Sequence, residues 1–113
     1  MNSHDRKTIL KKIEHCDRIQ EYTAECSTME DFEKNTMMVE ACVFNLVQIG
    51  ELAHTELSDE TKQSLSHIPW RQIYGMRNRI VHGYADVRLN VVWETVKNDI
   101  SGFKSELERS VAE

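Results

Sequence analysis

One proline and four glycines in 113 residues leave the chain with few places to bend or stop. That scarcity predicts helices joined by short loops. No run of apolar residues approaches the roughly 18 needed to span a membrane. The polar start MNSHDRKTILKK lacks the apolar centre of a secretory signal. Both absences point to a cytoplasmic chain with no membrane attachment. The three cysteines, Cys16, Cys26 and Cys42, form no C-x-x-C pair and leave an odd number. Each falls within a helical pattern, so buried free thiols in a reducing compartment are expected. The length fits one domain over residues 1–113, burying roughly two-thirds of its unfolded surface.

Net charge is −5, which argues against extended nucleic acid as a partner. Its distribution is uneven. Pro69 to Arg88 holds four arginines (Arg71, Arg77, Arg79 and Arg88) against Asp86 alone, a local +3 that leaves −8 for the rest. A basic site on an acidic body suits a small phosphate-bearing target better than a long duplex. The plainer reading is a solvated helix face where arginines happen to collect.

Four main helical patterns follow along the chain. The first runs over about Asp5–Cys26, with Ile9, Ile13, Cys16, Ile19 and Tyr22 on one stripe and Ser3 as a plausible cap. Thr28 with Asp31 opens the second, which continues to about Ala53. Its Val39, Cys42, Val43, Leu46, Gly50 and Ala53 make one apolar side, with Ile49 at the edge. Its other side mixes Glu40, Asn45, Gln48 and Glu51 with Met37, Phe44, Val47 and Leu52. Such a helix has two packing jobs: a core, and either a partner or the floor of a polar site. Gly50 permits a close helix crossing. A short helix begins at Ser58 and ends near His67, and Pro69 opens the third main helix, closed by Gly83. Tyr84–Arg88 make a loop, and Asn90 suits the cap of the last helix. That helix carries Leu89, Val92, Val96, Ile100, Phe103, Leu107 and Val111, with a possible kink at Gly102. The expected architecture is all-α: an up-and-down four-helix bundle with a short extra helix between the second and third main helices. Val39, Val43, Leu46, Ile73, Val96, Ile100 and Phe103 are its expected core.

The chemistry concentrates in Met76-Arg77-Asn78-Arg79-Ile80-Val81-His82-Gly83-Tyr84. Trp70, Ile73, Ile80 and Tyr84 recur at helical steps, and Arg77 falls on the same stripe. A guanidinium in an apolar seam is expensive unless paired or functional. Asn78 lies one turn from His82 and is placed to orient the imidazole. Arg77 and His82 are about 140° apart on an ideal helix. They converge only if the helix unwinds near Gly83 or a second copy supplies one of them. His82 is the candidate for proton transfer, and Arg77 for stabilising a charged phosphorane. The plain alternative for His82 is a structural hydrogen bond at a helix end. Glu51, on the mixed face, either neutralises Arg77, orients His82 or is a surface carboxylate. Glu51-x-x-His54 matches half of a di-iron motif, but no second Glu-x-x-His exists in the chain, so no metal or other cofactor is expected.

Arg77, four residues, His82, one residue, Tyr84 matches the R-x-x-x-x-H-x-Y signature of HEPN-domain toxins of the HepT type. The flanks from Ile68 to Val96 and the QIGE run at Gln48–Glu51 are similar to the same family. Members often carry more acidic residues after the tyrosine, where this chain has Arg88 and Asn90 beside Asp86.

The resemblance implies a HEPN bundle and the toxin of a type VII toxin–antitoxin pair, acting as a metal-independent endoribonuclease. In such an enzyme the 2′-OH attacks the adjacent phosphate and leaves a 2′,3′-cyclic phosphate. Arg77 and His82 carry over as the catalytic pair, in a site formed across a homodimer. Asn78 and Glu51 are assigned supporting roles, and Arg71, Arg79 and Arg88 are candidates for RNA binding. Tyr84 carries over as the acceptor of AMP from a cognate nucleotidyltransferase antitoxin. Its alternative is a core or rim aromatic. The competing function is a non-catalytic HEPN module that binds nucleotide or a nucleotidyltransferase and leaves RNA intact.

Overall fold

The computed structural model describes residues 1–83 and 88–112, and every regular element among them is helical. Helix α1 (Ser3–Thr23) is capped by Asn2 rather than Ser3: the Asn2 side chain accepts the Asp5 N–H at 2.7 Å. It stops at Thr23, short of the expected Cys26, and Tyr22 lies exposed. Thr28 caps the next helix as expected, accepting from the Asp31 N–H. That helix does not run to Ala53. It breaks after one and a half turns into α2 (Met29–Lys34), and Asn35 recaps α3 (Thr36–Glu51) by accepting from the Met38 N–H at 3.1 Å. An Asn with its own side-chain acceptor competes well with the helical backbone here.

Helix α3 continues into a π-helical turn, Leu52–Glu56, and the short α4 (Asp59–Ser64) follows with Ser58 as its cap. Helix α5 spans Trp70–Gly83. Pro69 stands one residue ahead of the expected position, its carbonyl accepting from the Ile73 N–H. The Trp70 indole N–H reaches the Lys62 and Leu65 carbonyls at 3.2 and 3.1 Å, which locks the start of α5 to the end of α4. The last pattern divides into α6 (Leu89–Glu94), a π-helical turn (Thr95–Asp99) and α7 (Ile100–Val111). Its irregularity is therefore the π turn, not Gly102. Asn90 is not the cap: the helix begins two residues earlier than that cap implies, at Leu89, with Arg88 in the cap position and no side-chain bond.

The layout is the expected all-α bundle, with α3 at its centre. Helix α3 packs on α1 and on α5, and α7 also packs on α1, sharing both apolar clusters with it. Val39, Val43, Leu46, Val96 and Ile100 are buried as expected; Ile73 and Phe103 are partly buried. Those two touch both apolar clusters, the main one around α3 and a second one of Ile9, Leu52, Leu57, Ile68, Leu107 and Val111. The stretch Thr36–Glu56 is by length and composition able to cross a membrane, and half of it is buried inside the bundle. Its polar residues Glu40, Asn45, Gln48 and Glu51 interrupt any continuous apolar run.

Two buried polar links fix α1. The Asp5 carboxylate accepts from Ser58 Oγ at 2.6 Å and from Thr61 Oγ1, tying α1 to α4. His15 Nδ1 lies 2.7 Å from Asn45 Oδ1, and Asn45 Nδ2 donates to the Ala41 carbonyl. That second bond turns the amide oxygen toward the ring, so Nδ1 is the protonated nitrogen. Asn45 thus belongs to the core and not to the mixed outer face.

Candidate active site

The site begins with a missing side chain. Helix α3 meets α5 at Gly50, where an added Cβ would overlap Arg77 Cβ and stand 2.8 Å from its Cγ. Only glycine lets the Arg77 backbone come so close, and the side chain then lies along α3 toward Glu51. Arg77 Nε donates to Glu51 Oε1 at 2.7 Å, and Nη1 donates to Asn78 Oδ1 at 2.8 Å. The Arg77 side chain is 15% exposed and that of Glu51 24%, so this pair is held against the protein rather than waving in solvent. An apolar seam tolerates the cation because its charge is matched and two of its nitrogens are bonded.

Glu51 therefore takes the first of its expected roles and pairs with Arg77. The Asn78 amide oxygen is engaged by Arg77, which leaves its NH2 as the group that could face His82. Helix α5 stays α-helical through Gly83, with His82 exposed in its last turn. Of the two ways that Arg77 and His82 could meet, unwinding before Gly83 does not occur. Within one chain the two side chains leave an unbroken helix about 140° apart. Tyr84 and Asp86 lie outside the described residues.

The other arginines do not gather around Arg77. Arg71 is exposed on the outer side of α5, and Arg88 is exposed at the start of α6. Arg79 faces nearly opposite to Arg77, about 160° around the helix. It lines a groove of about 750 Å³ between α5 and the α6–α7 arm, floored by Leu46, Ile73, Ile100 and Phe103 and edged by Asp99 and Glu106. Sequence periodicity had no means to reveal that groove, since it exists only because α5 leans on α3 and away from α7.

Two further features surround the Arg77–Glu51 pair. Toward the end of α5 and back along α3, Val81 and Phe44 are 46% and 59% exposed; Met37, more than three turns before Gly50, is 83% exposed. On the other side, the His54 ring stacks on Tyr74 with centroids 5.0 Å apart and planes 14° from parallel. His54, half of the di-iron pattern, is thus engaged with an aromatic ring; among the described residues no three His, Cys, Asp or Glu side chains gather as metal ligands.

Comparison with known proteins identifies the family. The family model described as ribonuclease HepT-like matches residues 12–110, which takes in α3, α5 and every residue of the Arg77 site. The chain belongs to the ribonuclease HepT-like family. It is 37% identical over 93 residues to the probable ribonuclease HepT of Thermococcus cleftensis, covering 80% of this chain and 81% of that one. It is also 37% identical over 86 residues to a Caldanaerobacter subterraneus subsp. tengcongensis protein named "Putative RNase TTE0752", covering 76% and 72%. A Methanocaldococcus jannaschii protein named "Putative RNase MJ1216" is 33% identical over 112 residues, covering 98% and 91%. No solved structure matches the chain. As a HepT-like ribonuclease, the chain carries its signature helix packed directly on α3, with Ile80 buried in the main core cluster.

Proposed function

We propose that this HepT-like ribonuclease is a toxin that cuts RNA without a metal, using Arg77 of one subunit and His82 of another. The observation that carries this reading is the fixed guanidinium on an unbroken helix whose His82 points elsewhere. A second copy docked across the Phe44–Val81 surface supplies the missing imidazole. In the reaction the 2′-oxygen attacks its adjacent phosphorus and loses its proton. The P–O5′ bond then breaks, leaving a 2′,3′-cyclic phosphate and a 5′-OH that takes up a proton. His82 moves the proton, and Arg77, positioned by Glu51 and Asn78, meets the charge that grows on the phosphoryl oxygens. Arg71, Arg79 and Arg88, on different sides of the fold, contribute diffuse attraction for RNA rather than a single cradle.

The system is of type VII, with a nucleotidyltransferase antitoxin that silences the toxin at Tyr84. The phenol oxygen attacks the α-phosphorus of a nucleoside triphosphate, diphosphate leaves, and the chain gains AMP. The added charge and bulk then oppose an incoming RNA phosphate. An RNA target and three buried thiols suit a cytoplasmic chain.

Purified chain incubated with RNA tests the nuclease. Cyclic-phosphate ends that vanish in His82→Ala and Arg77→Ala support it; intact RNA from a folded protein favours the non-catalytic module. Intact mass of the chain co-expressed with a neighbouring nucleotidyltransferase tests the modification. AMP masses absent from Tyr84→Phe support it, and an unmodified but inhibited toxin points to simple burial of the site.

A further inference from the structure

We infer that the His54–Tyr74 stack is a nucleobase seat, holding the base next to the phosphate engaged by Arg77. This rests on the ribonuclease reading and names a binding subsite for it. Helices α3 and α5 run antiparallel here, since Gly50 meets Arg77 while His54 meets Tyr74. The ion pair and the stacked pair are therefore neighbouring rungs between the same two helices. Tyr74 precedes Arg77 by three residues, about 4.5 Å along the axis. That is well within the reach of one nucleotide from its phosphate to its base.

The rings suit the task. At 5.0 Å between centroids and 14° between planes, they are offset and near-parallel, so each leaves part of a face uncovered. Tyr74 is 37% exposed, and His54 is half-buried. The π-helical turn Leu52–Glu56 buries Leu52 and Ala53 while delivering His54 to Tyr74. Turns of this kind recur where a helix presents a functional side chain. Exposed aromatics bind single-stranded RNA by stacking, tolerant of base identity, and here the Arg77 guanidinium lies on the next rung. The seat lies on the opposite side of the Arg77–Glu51 pair from Phe44 and Val81.

The test uses the whole chain and a 2′-O-methyl tetranucleotide, which presents bases and phosphates but no 2′-OH nucleophile. Binding is read by fluorescence anisotropy. Tyr74→Leu should weaken it roughly tenfold to a hundredfold, while Tyr74→Phe keeps the ring and changes little. Removing one base of the tetranucleotide should weaken wild-type binding by a similar factor and cost Tyr74→Leu nothing further. His54→Leu should lie in the same direction. Should Tyr74→Leu misfold, the abasic series on the wild type decides: one sensitive position supports the seat, none overturns it. Unchanged binding by Tyr74→Leu overturns the seat, as does a shift of that variant from dimer to monomer, which would make Tyr74 an interface residue. Wild type that cleaves RNA but ignores Tyr74→Leu leaves the nuclease and removes the seat. Wild type that binds through Tyr74 yet leaves RNA uncut keeps the seat and removes the nuclease. Failure to bind RNA at all overturns both.

Discussion

Gly50 and Arg77 share the tightest helix crossing at the site: the space a Cβ would fill at Gly50 is already occupied by the Arg77 side-chain stem. Glycine costs about 1 kcal/mol in helix propensity relative to alanine. Here it allows a guanidinium to be seated between two helices, and the rest of the site is arranged around that contact.

Gly50→Ala should therefore destabilise the protein even though alanine is the better helix former. Overpacking typically costs about 1–3 kcal/mol, enough to cancel or exceed the propensity gain. RNA cleavage should fall with it as Arg77 shifts. Gly102 provides the contrast, because nothing lies within 4 Å of a Cβ placed there. Gly102→Ala should gain up to about 1 kcal/mol. Urea denaturation of both variants checks the pair; a stabilised Gly50→Ala would disprove the crossing.

Adjacent residues on α3 should respond oppositely to the same change. Val43 is buried, so Val43→Asp places an unpaired charge in the core and should cost about 3–5 kcal/mol. Phe44 is 59% exposed. Phe44→Asp should leave the fold intact within about 0.5 kcal/mol and weaken self-association. Denaturation and sedimentation together separate these effects. A Phe44→Asp protein that dimerises as well as wild type argues against that surface as the interface.

A site drawn from two subunits has a direct signature. Arg77→Ala and His82→Ala proteins should each be inactive. Unfolded and refolded together, they should regain cleavage, because a mixed dimer keeps one intact Arg77–His82 combination. No recovery, with mixed dimers demonstrated, would place both groups in one subunit.

Acid should loosen the α1–α3 contact before it reaches the carboxylates. Burial pushes His15 below its ordinary 6.5; the Asn45 bond opposes this, and Lys12, Arg18 and Lys11 add to the lowering. The unfolded chain then binds a proton near pH 6.5 that the folded chain refuses. Stability should fall as pH drops below 6.5. Asp5 acts lower. Burial raises its pKa, but the bonds from Ser58 and Thr61 outweigh that and hold it below 3.8, so its contribution is lost as pH falls beneath that value. His15→Gln should flatten the upper part of a stability–pH curve, and Asp5→Asn the lower part. An unchanged slope between pH 7 and 5 in His15→Gln would refute the assignment.

The thiols should be inert while the fold holds. Burial pushes Cys16 up to about 12 and Cys42 up to about 11, and Cys26 is buried as well. A thiol reagent at pH 8 should label the native protein slowly and all three cysteines promptly in urea.

Periodicity alone determined the all-α bundle, the central place of α3, the core residues Val39, Val43, Leu46, Val96 and Ile100, and that Arg77 had to be paired or functional. These are properties of one helix at a time: which side is apolar, where a cap or a glycine falls, what charge sits in a seam. The break at Asn35, made by a side-chain cap that an apolar stripe does not show, the π turns and the helix start at Leu89 escaped it. The seat of Arg77 needed the tertiary structure altogether. Glu51 is 26 residues away in the chain, and nothing in its own turn says whether it meets Arg77, His82 or water. The groove beside Arg79 needs α5 and the α6–α7 arm side by side, and the His54–Tyr74 stack depends on the antiparallel register of α3 and α5. That register is set where Gly50 admits Arg77, and the pairing of two distant faces is information that neither face carries by itself.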